Sequence, residues 1–280
     1  MEKKELEYAM DHNEYCCIFD TSQYTGTPDT TPCPNALNVP LLIQELDRLC
    51  GERHEAEARD LLEKSLEAAR KDGDWRSELT VLSELLGQYR RTGEKDKGLR
   101  TVNEALELVR AHRMGRTVSG ATVLLNAATT LKAFGHAAES IPVFTHAAHV
   151  YADSLDPSDY RFAGLYNNMA LSYDETNDTE SADRFFRLAL SILEKIGGQE
   201  NDCAVTWCNM AEMYGRRDLE DERIAECLEN AWGCLSTPNL PHDGYHAFTI
   251  SKCAPTFDYF GFFLYAKELR ERAKKIYAGT

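Results

Sequence analysis

Three asparagines carry the most pointed chemical signal in this chain. Asn126, Asn168 and Asn209 each fall inside a stretch that reads as helix, with Asn167 beside the middle one. Asparagine is a middling-to-poor helix residue because its amide competes for backbone hydrogen bonds, so three at one repeated place invite another explanation. Each amide offers a donor pair and an acceptor. The residues that could do covalent or metal chemistry are arranged less suggestively. His12, Cys16, Cys17 and Cys33 do not form the two close pairs that zinc sites use. His136, His146 and His149 share one helix, but there is no HExxH, and GxGxxG, GxxxxGK[ST] and GxSxG are absent as well. The sequence therefore predicts no catalytic residue, no metal and no cofactor; the chain is not expected to be an enzyme.

The elements that position the asparagines are helical hairpins. Leu165 to Leu193 reads as two amphipathic helices around the turn Asn177-Asp178, with Tyr166, Met169, Ala170 and Tyr173 on one face of the first and Ala182, Phe185, Phe186 and Ala189 on one face of the second. The pattern recurs with an interval of 42. Small residues stand at Ala105, Ala147, Ala189, Ala231 and Ala273, and turn positions at Gly51, Gly93, Gly135, Asn177, Leu219 and Gly261. A hairpin cannot bury both faces of both helices alone, so successive copies must stack. The expected repeats cover about 38–73, 74–115, 116–157, 158–199, 200–241 and 242–280, making residues 36–280 one repeat domain. Residues 1–35 are expected to be a leader, either partly disordered or packed along the groove, with a short helix at 2–10 and an apolar knot at Tyr15–Phe19.

Composition agrees with an all-α chain. Helix formers dominate, and three of the nine prolines (Pro28, Pro32, Pro34) are crowded into the leader. A formal net charge of -15 argues against nucleic acid or an anionic membrane as partner, since phosphate contact needs clustered Lys and Arg. No apolar run approaches the ~20 residues of a membrane-spanning helix, and the N-terminus lacks the apolar core of a signal peptide, so a cytoplasmic location is expected. Cys203, Cys208, Cys227, Cys234 and Cys253 fall at core or near-core helix positions and are read as reduced thiols.

Aligned on the small residue, the first helices show Leu82, Leu124, Tyr166, Trp207 and Ile250, then Leu86, Ala128, Ala170, Ala211 and Ala254, then Tyr89, Leu131, Tyr173, Tyr214 and Phe257. This bulky, small, aromatic order resembles the tetratricopeptide (TPR) repeat. The longer interval resembles the 42-residue subclass found in kinesin light chains, polarity adaptors and bacterial peptide-sensing regulators. The resemblance spans 38–280 and implies a right-handed superhelical solenoid of about six antiparallel helical hairpins. It implies too that the first helices line a concave groove receiving a peptide or partner segment, with Tyr166, Tyr173, Trp207 and Tyr214 as packing residues.

By the same resemblance, Asn126, Asn168 and Asn209 are clamps for the backbone of a bound segment, with Asn167, Arg91, Thr129, Leu171 and Arg216 also on the groove. Neighbouring first helices would lie ~10 Å apart, so an extended segment at ~3.3 Å per residue would meet one amide about every three residues. The competing reading is that the amides bond to the adjacent repeat. Glu84 stands where the second repeat would carry asparagine, which argues against the Lys/Asn/Arg cluster that resembles chaperone-carboxylate clamps. The expected function is protein or peptide binding by the groove of repeats three to five. The alternatives are a peptide-sensing regulator, or a scaffold or homodimer that leaves the groove unused.

Overall fold

The computed structural model of the chain describes residues 19–52, 54–238 and 240–279. The expected helix at 2–10, most of the apolar knot, and His12, Cys16 and Cys17 lie outside the described residues. Twelve α-helices and no strand occur among the described residues. They are α1 (Val39–Gly51), α2 (Glu55–Asp72), α3 (Trp75–Thr92), α4 (Lys95–Ala111), α5 (Val118–Ala133), α6 (Ala137–Ser154), α7 (Arg161–Glu175), α8 (Thr179–Ile196), α9 (Glu200–Gly215), α10 (Glu222–Leu235), α11 (Gly244–Tyr259) and α12 (Phe263–Ala278). Six of the twelve helices begin at a residue whose side chain caps them. Asn38, Asp74, Thr117, Asp178, Asp221 and Asp243 each accept a first-turn backbone N–H, satisfying a donor that the helix itself leaves orphaned.

The turn interval is visible in the backbone. Gly93, Gly135, Asn177 and Gly261 have φ of 72°, 89°, 68° and 84°, the left-handed conformation that stops the first helix and starts the return. The other two positions of the series differ: Gly51 ends α1 within the helix, and Leu219 sits in an exposed turn without positive φ.

The described chain divides into two compact units, one ending at Pro157 and the other beginning at Ser158. In the first, α1 to α6 form three hairpins, and first helices pack side by side, α3 against α5. Leu46, Leu49 and Leu62 pack with Val81, Leu85 and Tyr89 to fuse its first two hairpins into one core. In the second, α7 to α12 form three more hairpins, with α9 touching both α7 and α11. The small residues do what spacing requires: Ala105, Ala147, Ala189 and Ala231 are 0% exposed and Ala273 4%, allowing helices to approach closely. Leu82, Leu124, Tyr166, Tyr173, Tyr214, Ile250 and Phe257 are buried as well. Trp207 and Leu131 are only half-buried; in α9 the smaller Cys208 beside Trp207 is the buried residue, and an indole is seldom covered completely.

Residues 19–38 run along the edge of the first unit where one hairpin connects to the next, not along the first-helix face. Phe19 stacks on Tyr24 (centroids 4.3 Å), and both rings meet His146 at 5.6 and 6.0 Å. Downstream, Asp29 accepts from His112 Nδ1 at 2.8 Å, Arg76 donates to the carbonyls of Asp29 and Thr31, and Asp74 Oδ2 accepts the Ala36 N–H at 2.9 Å. Gly115 makes this route possible, because a Cβ there would lie 2.4 Å from the Tyr24 carbonyl oxygen.

Candidate functional site

The asparagines are best placed by register. Seven of the buried residues of α7 (Phe162, Ala163, Leu165, Met169, Ala170, Ser172 and Tyr173) have a buried counterpart on α9 (Cys203, Ala204, Thr206, Met210, Ala211, Met213 and Tyr214) 41 positions later; Tyr166 and Asp174 on α7 and Cys208 on α9 are buried without one. The interval of 42 is thus one residue short on this helix, and the turn at 216–221, longer than its counterpart at 176–178, absorbs the slip before α10. Asn209 therefore takes the place of Asn168. The buried set of α11 (His246, Ala247, Thr249, Ile250, Cys253, Ala254, Thr256, Phe257) puts Lys252 in the same row.

In this C-terminal unit Asn168 and Asn209 each use one amide N–H internally. Asn209 Nδ2 donates to Asn167 Oδ1 at 3.0 Å, joining α9 to α7. Asn168 Nδ2 donates to the Gly164 carbonyl of its own helix at 2.9 Å. Neither Asn168 Oδ1 nor Asn209 Oδ1 accepts a hydrogen bond from any described residue, and both side chains are half-buried. The row therefore presents two carbonyl acceptors and then the Lys252 ammonium, which sits 5.5 Å from the Phe248 ring centroid. Leu171 is half-buried nearby on α7.

Arg216 is tied down. Its guanidinium pairs with Asp174, whose side chain is 0% exposed, and lies 3.8 Å from Glu212. Arg217 reaches the same hairpin turn, donating to the Asp174 carbonyl at 3.1 Å, Asn177 Oδ1 at 3.1 Å and Thr179 Oγ1 at 2.8 Å.

The first unit contains Asn126, Thr129 and Arg91. Asn126 Nδ2 donates to Ser83 Oγ at 2.8 Å, bridging α5 to α3, while its Oδ1 accepts from no described residue. Thr129 donates to its own Leu125 carbonyl, and the exposed Arg91 lies 3.5 Å from Glu55. Between them Arg90 is inserted against Thr130 Oγ1 (2.7 Å) and the Asn126 carbonyl (3.1 Å); burial brings its pKa down to about 10. Burial, and then Asp47, push the Glu84 carboxyl up.

Residues outside the predicted set also organise the face. Asp202 accepts from Tyr160 at 2.9 Å and from Tyr245 at 2.6 Å, linking the starts of α7, α9 and α11. Burial, then Asp202, push the Tyr160 hydroxyl up to about 12. The spacing of 160, 202 and 245 carried that signal, because it nearly matches the repeat interval.

No group of three or more His, Cys, Asp and Glu side chains suited to a metal occurs among the described residues. No helix among them is long and apolar enough to cross a membrane. The described cysteines are free, and Cys203, Cys208, Cys227 and Cys253 are buried.

Comparison with known proteins gives a structural answer only. No family model matches the chain, and no curated protein matches it. Among solved structures, it is similar to a putative kinesin light chain with nearly identical TPR-like repeats from Podosopora anserina. The TM-score is 0.51 at 14% identity, over 72% of this chain and 95% of that one. It is similar as well to BtubC (BKLC) from P. vanneervenii, with a TM-score of 0.52 at 18% identity, over 81% of this chain and 91% of that one.

Proposed function

We propose that this chain, a TPR-like helical repeat protein, is a binding module whose first-helix face holds a protein or peptide segment and performs no chemistry on it. The observation that carries the reading is the row of unsatisfied acceptors: Asn168 Oδ1 and Asn209 Oδ1 stand at one repeat position, half-exposed and without a partner among the described residues. Bonds to the neighbouring helix or to the same helix use only the amide nitrogens, and the carbonyl oxygens remain available to a ligand. With first helices ~10 Å apart and ~3.3 Å per extended residue, a bound backbone offers one N–H to each acceptor about every third residue. Asn126 repeats the arrangement within the first unit, with Thr129 and Arg91 near it as further contacts. The reading puts the protein in a reducing compartment, the cytoplasm, where its buried thiols stay unpaired.

Asn168→Ala tests this most cleanly, because the amide's one bond is to its own helix. Removing one such hydrogen bond to the bound segment should cost ~0.5–1.5 kcal/mol of affinity. Capture of a partner segment should weaken several-fold while the melting temperature stays within about 2 °C. Unchanged capture by the combined Asn168→Ala, Asn209→Ala variant would sink the proposal.

A further inference from the structure

We propose that a cleft at the end of the C-terminal unit, remote in role from the first-helix face and independent of it, binds a small organic anion. The cleft has a volume of about 400 Å³ and lies between the end of α10, the connection that follows it, the first turn of α11, and α12. Arg272, Lys275, His242 and His246 line it together with Leu235, Leu240 and Ile276, and no carboxylate is among the described lining residues. That is unusual ground in a chain of net charge -15. The volume exceeds what a bare inorganic anion fills and falls in the range of small-ligand sites, and the lining mixes apolar side chains with basic and hydroxyl ones. The occupant that fits is a molecule with an anionic oxygen head and a short apolar body.

The polar groups are held in place. His246 is 3% exposed, and its Nδ1 lies 2.7 Å from Asn201 Oδ1. An amide oxygen only accepts, so Nδ1 carries a hydrogen, and Nε2 is the nitrogen left over. Nε2 bonds to no described residue. Arg272 donates to the Leu235 carbonyl at 3.0 Å, pairs with Glu268, and holds its guanidinium 5.1 Å from the Trp232 ring centroid. A guanidinium fixed in this way loses little freedom when it meets an anion.

The charges around His246 give the site a pH dependence. Burial, then His242, keep its protonation below the ordinary range; Arg272 acts in the same direction and Asp243, the α11 cap, opposes them. Glu268 is engaged with Arg272, and Lys275 adds positive charge to the same wall. An anion in the cleft reverses that balance. It favours the imidazolium, which then donates Nε2–H to the anion, so binding and proton uptake reinforce each other.

The test uses the full chain and benzenesulfonate, whose charge is constant across the pH range, with sulfate as a head without a body and benzyl alcohol as a body without a head. Histidine-ring NMR titrations from about pH 8 to about pH 5 should show saturable binding of benzenesulfonate, weaker binding of sulfate and none of benzyl alcohol. With saturating benzenesulfonate the His246 titration should move up by about one unit, which by linkage requires about tenfold tighter binding on the acid side. Arg272→Met should weaken binding tenfold or more. Because Arg272 also holds α10 to α12, His246→Gln serves as the second variant, retaining the fold and abolishing the pH dependence of affinity. Non-saturating binding, a His246 titration unmoved by ligand, or affinity in His246→Gln that still rises about tenfold with acid would each overturn the proposal.

Discussion

The sequence places Arg216 on the face proposed to hold a ligand, yet its geometry assigns it to holding two hairpins together, and replacing its partner separates the two roles. Asp174 is fully buried, and the guanidiniums of Arg216 and Arg217 both reach its carboxylate. Asp174→Asn keeps the shape and removes the charge. A hydrogen bond to a charged group contributes ~1.5–3 kcal/mol in a buried setting. The two guanidiniums are 47% and 34% exposed, so solvent screening brings each down to ~1 kcal/mol, or ~2 kcal/mol together. At about 3 °C per kcal/mol for a chain of this size, the melting temperature should fall by about 6 °C. Thermal unfolding of Asp174→Asn, Arg216→Met and the double variant closes a cycle, whose coupling should be about 1 kcal/mol. Strictly additive single effects, or a shift below about 1 °C for Asp174→Asn, would refute the strut. Loss of partner capture by Arg216→Met at unchanged melting temperature would instead make Arg216 a ligand residue.

Two further outcomes concern the edge segment. Gly115→Ala places a Cβ 2.4 Å from the Tyr24 carbonyl oxygen and 2.6 Å from Tyr24 Cβ, so residues 19–24 must move; the expected cost is about 1–3 kcal/mol, with faster limited proteolysis near Tyr24, and an unchanged cleavage pattern would count against the packing described. His146 donates Nε2–H to the Gly115 carbonyl at 2.8 Å beneath Phe19 and Tyr24, and its folded pKa is lowered, first by burial. The unfolded chain then binds its proton more readily, so this stability is complete above about pH 6.5 and is lost as pH falls below that value through the folded pKa. Melting temperatures measured from about pH 8 down to about pH 5 should decline, and His146→Gln should flatten part of that decline; a rise toward acid would contradict it.

How much of this was legible depends on what each feature asks of the residue itself. The turn interval was readable because a left-handed backbone selects glycine or asparagine, and Gly93, Gly135, Asn177 and Gly261 answer that demand directly. The edge route of residues 19–38 was not readable, because several of its anchors are backbone groups, the carbonyls of Asp29 and Thr31 accepting from Arg76 and the Ala36 N–H donating to Asp74, and a backbone group has no sequence identity. Asp174 was missed for a related reason: an aspartate near the end of an amphipathic helix reads as surface, and only the two arginines arriving from the next hairpin bury it. The asparagines lie between these cases. Their shared position showed in the sequence, including the slip to 41 that keeps Asn209 in the row. What each amide does was decided by its neighbour: Ser83 offers Asn126 a hydroxyl on the adjacent helix, Asn167 offers Asn209 a carbonyl, and Asn168 turns back on its own helix. For Asn126 and Asn209 the unsatisfied half of the amide is thus a property of the stacked pair of repeats. The face proposed for binding can therefore be altered at Ser83, through its bond to Asn126, without changing any of the asparagines.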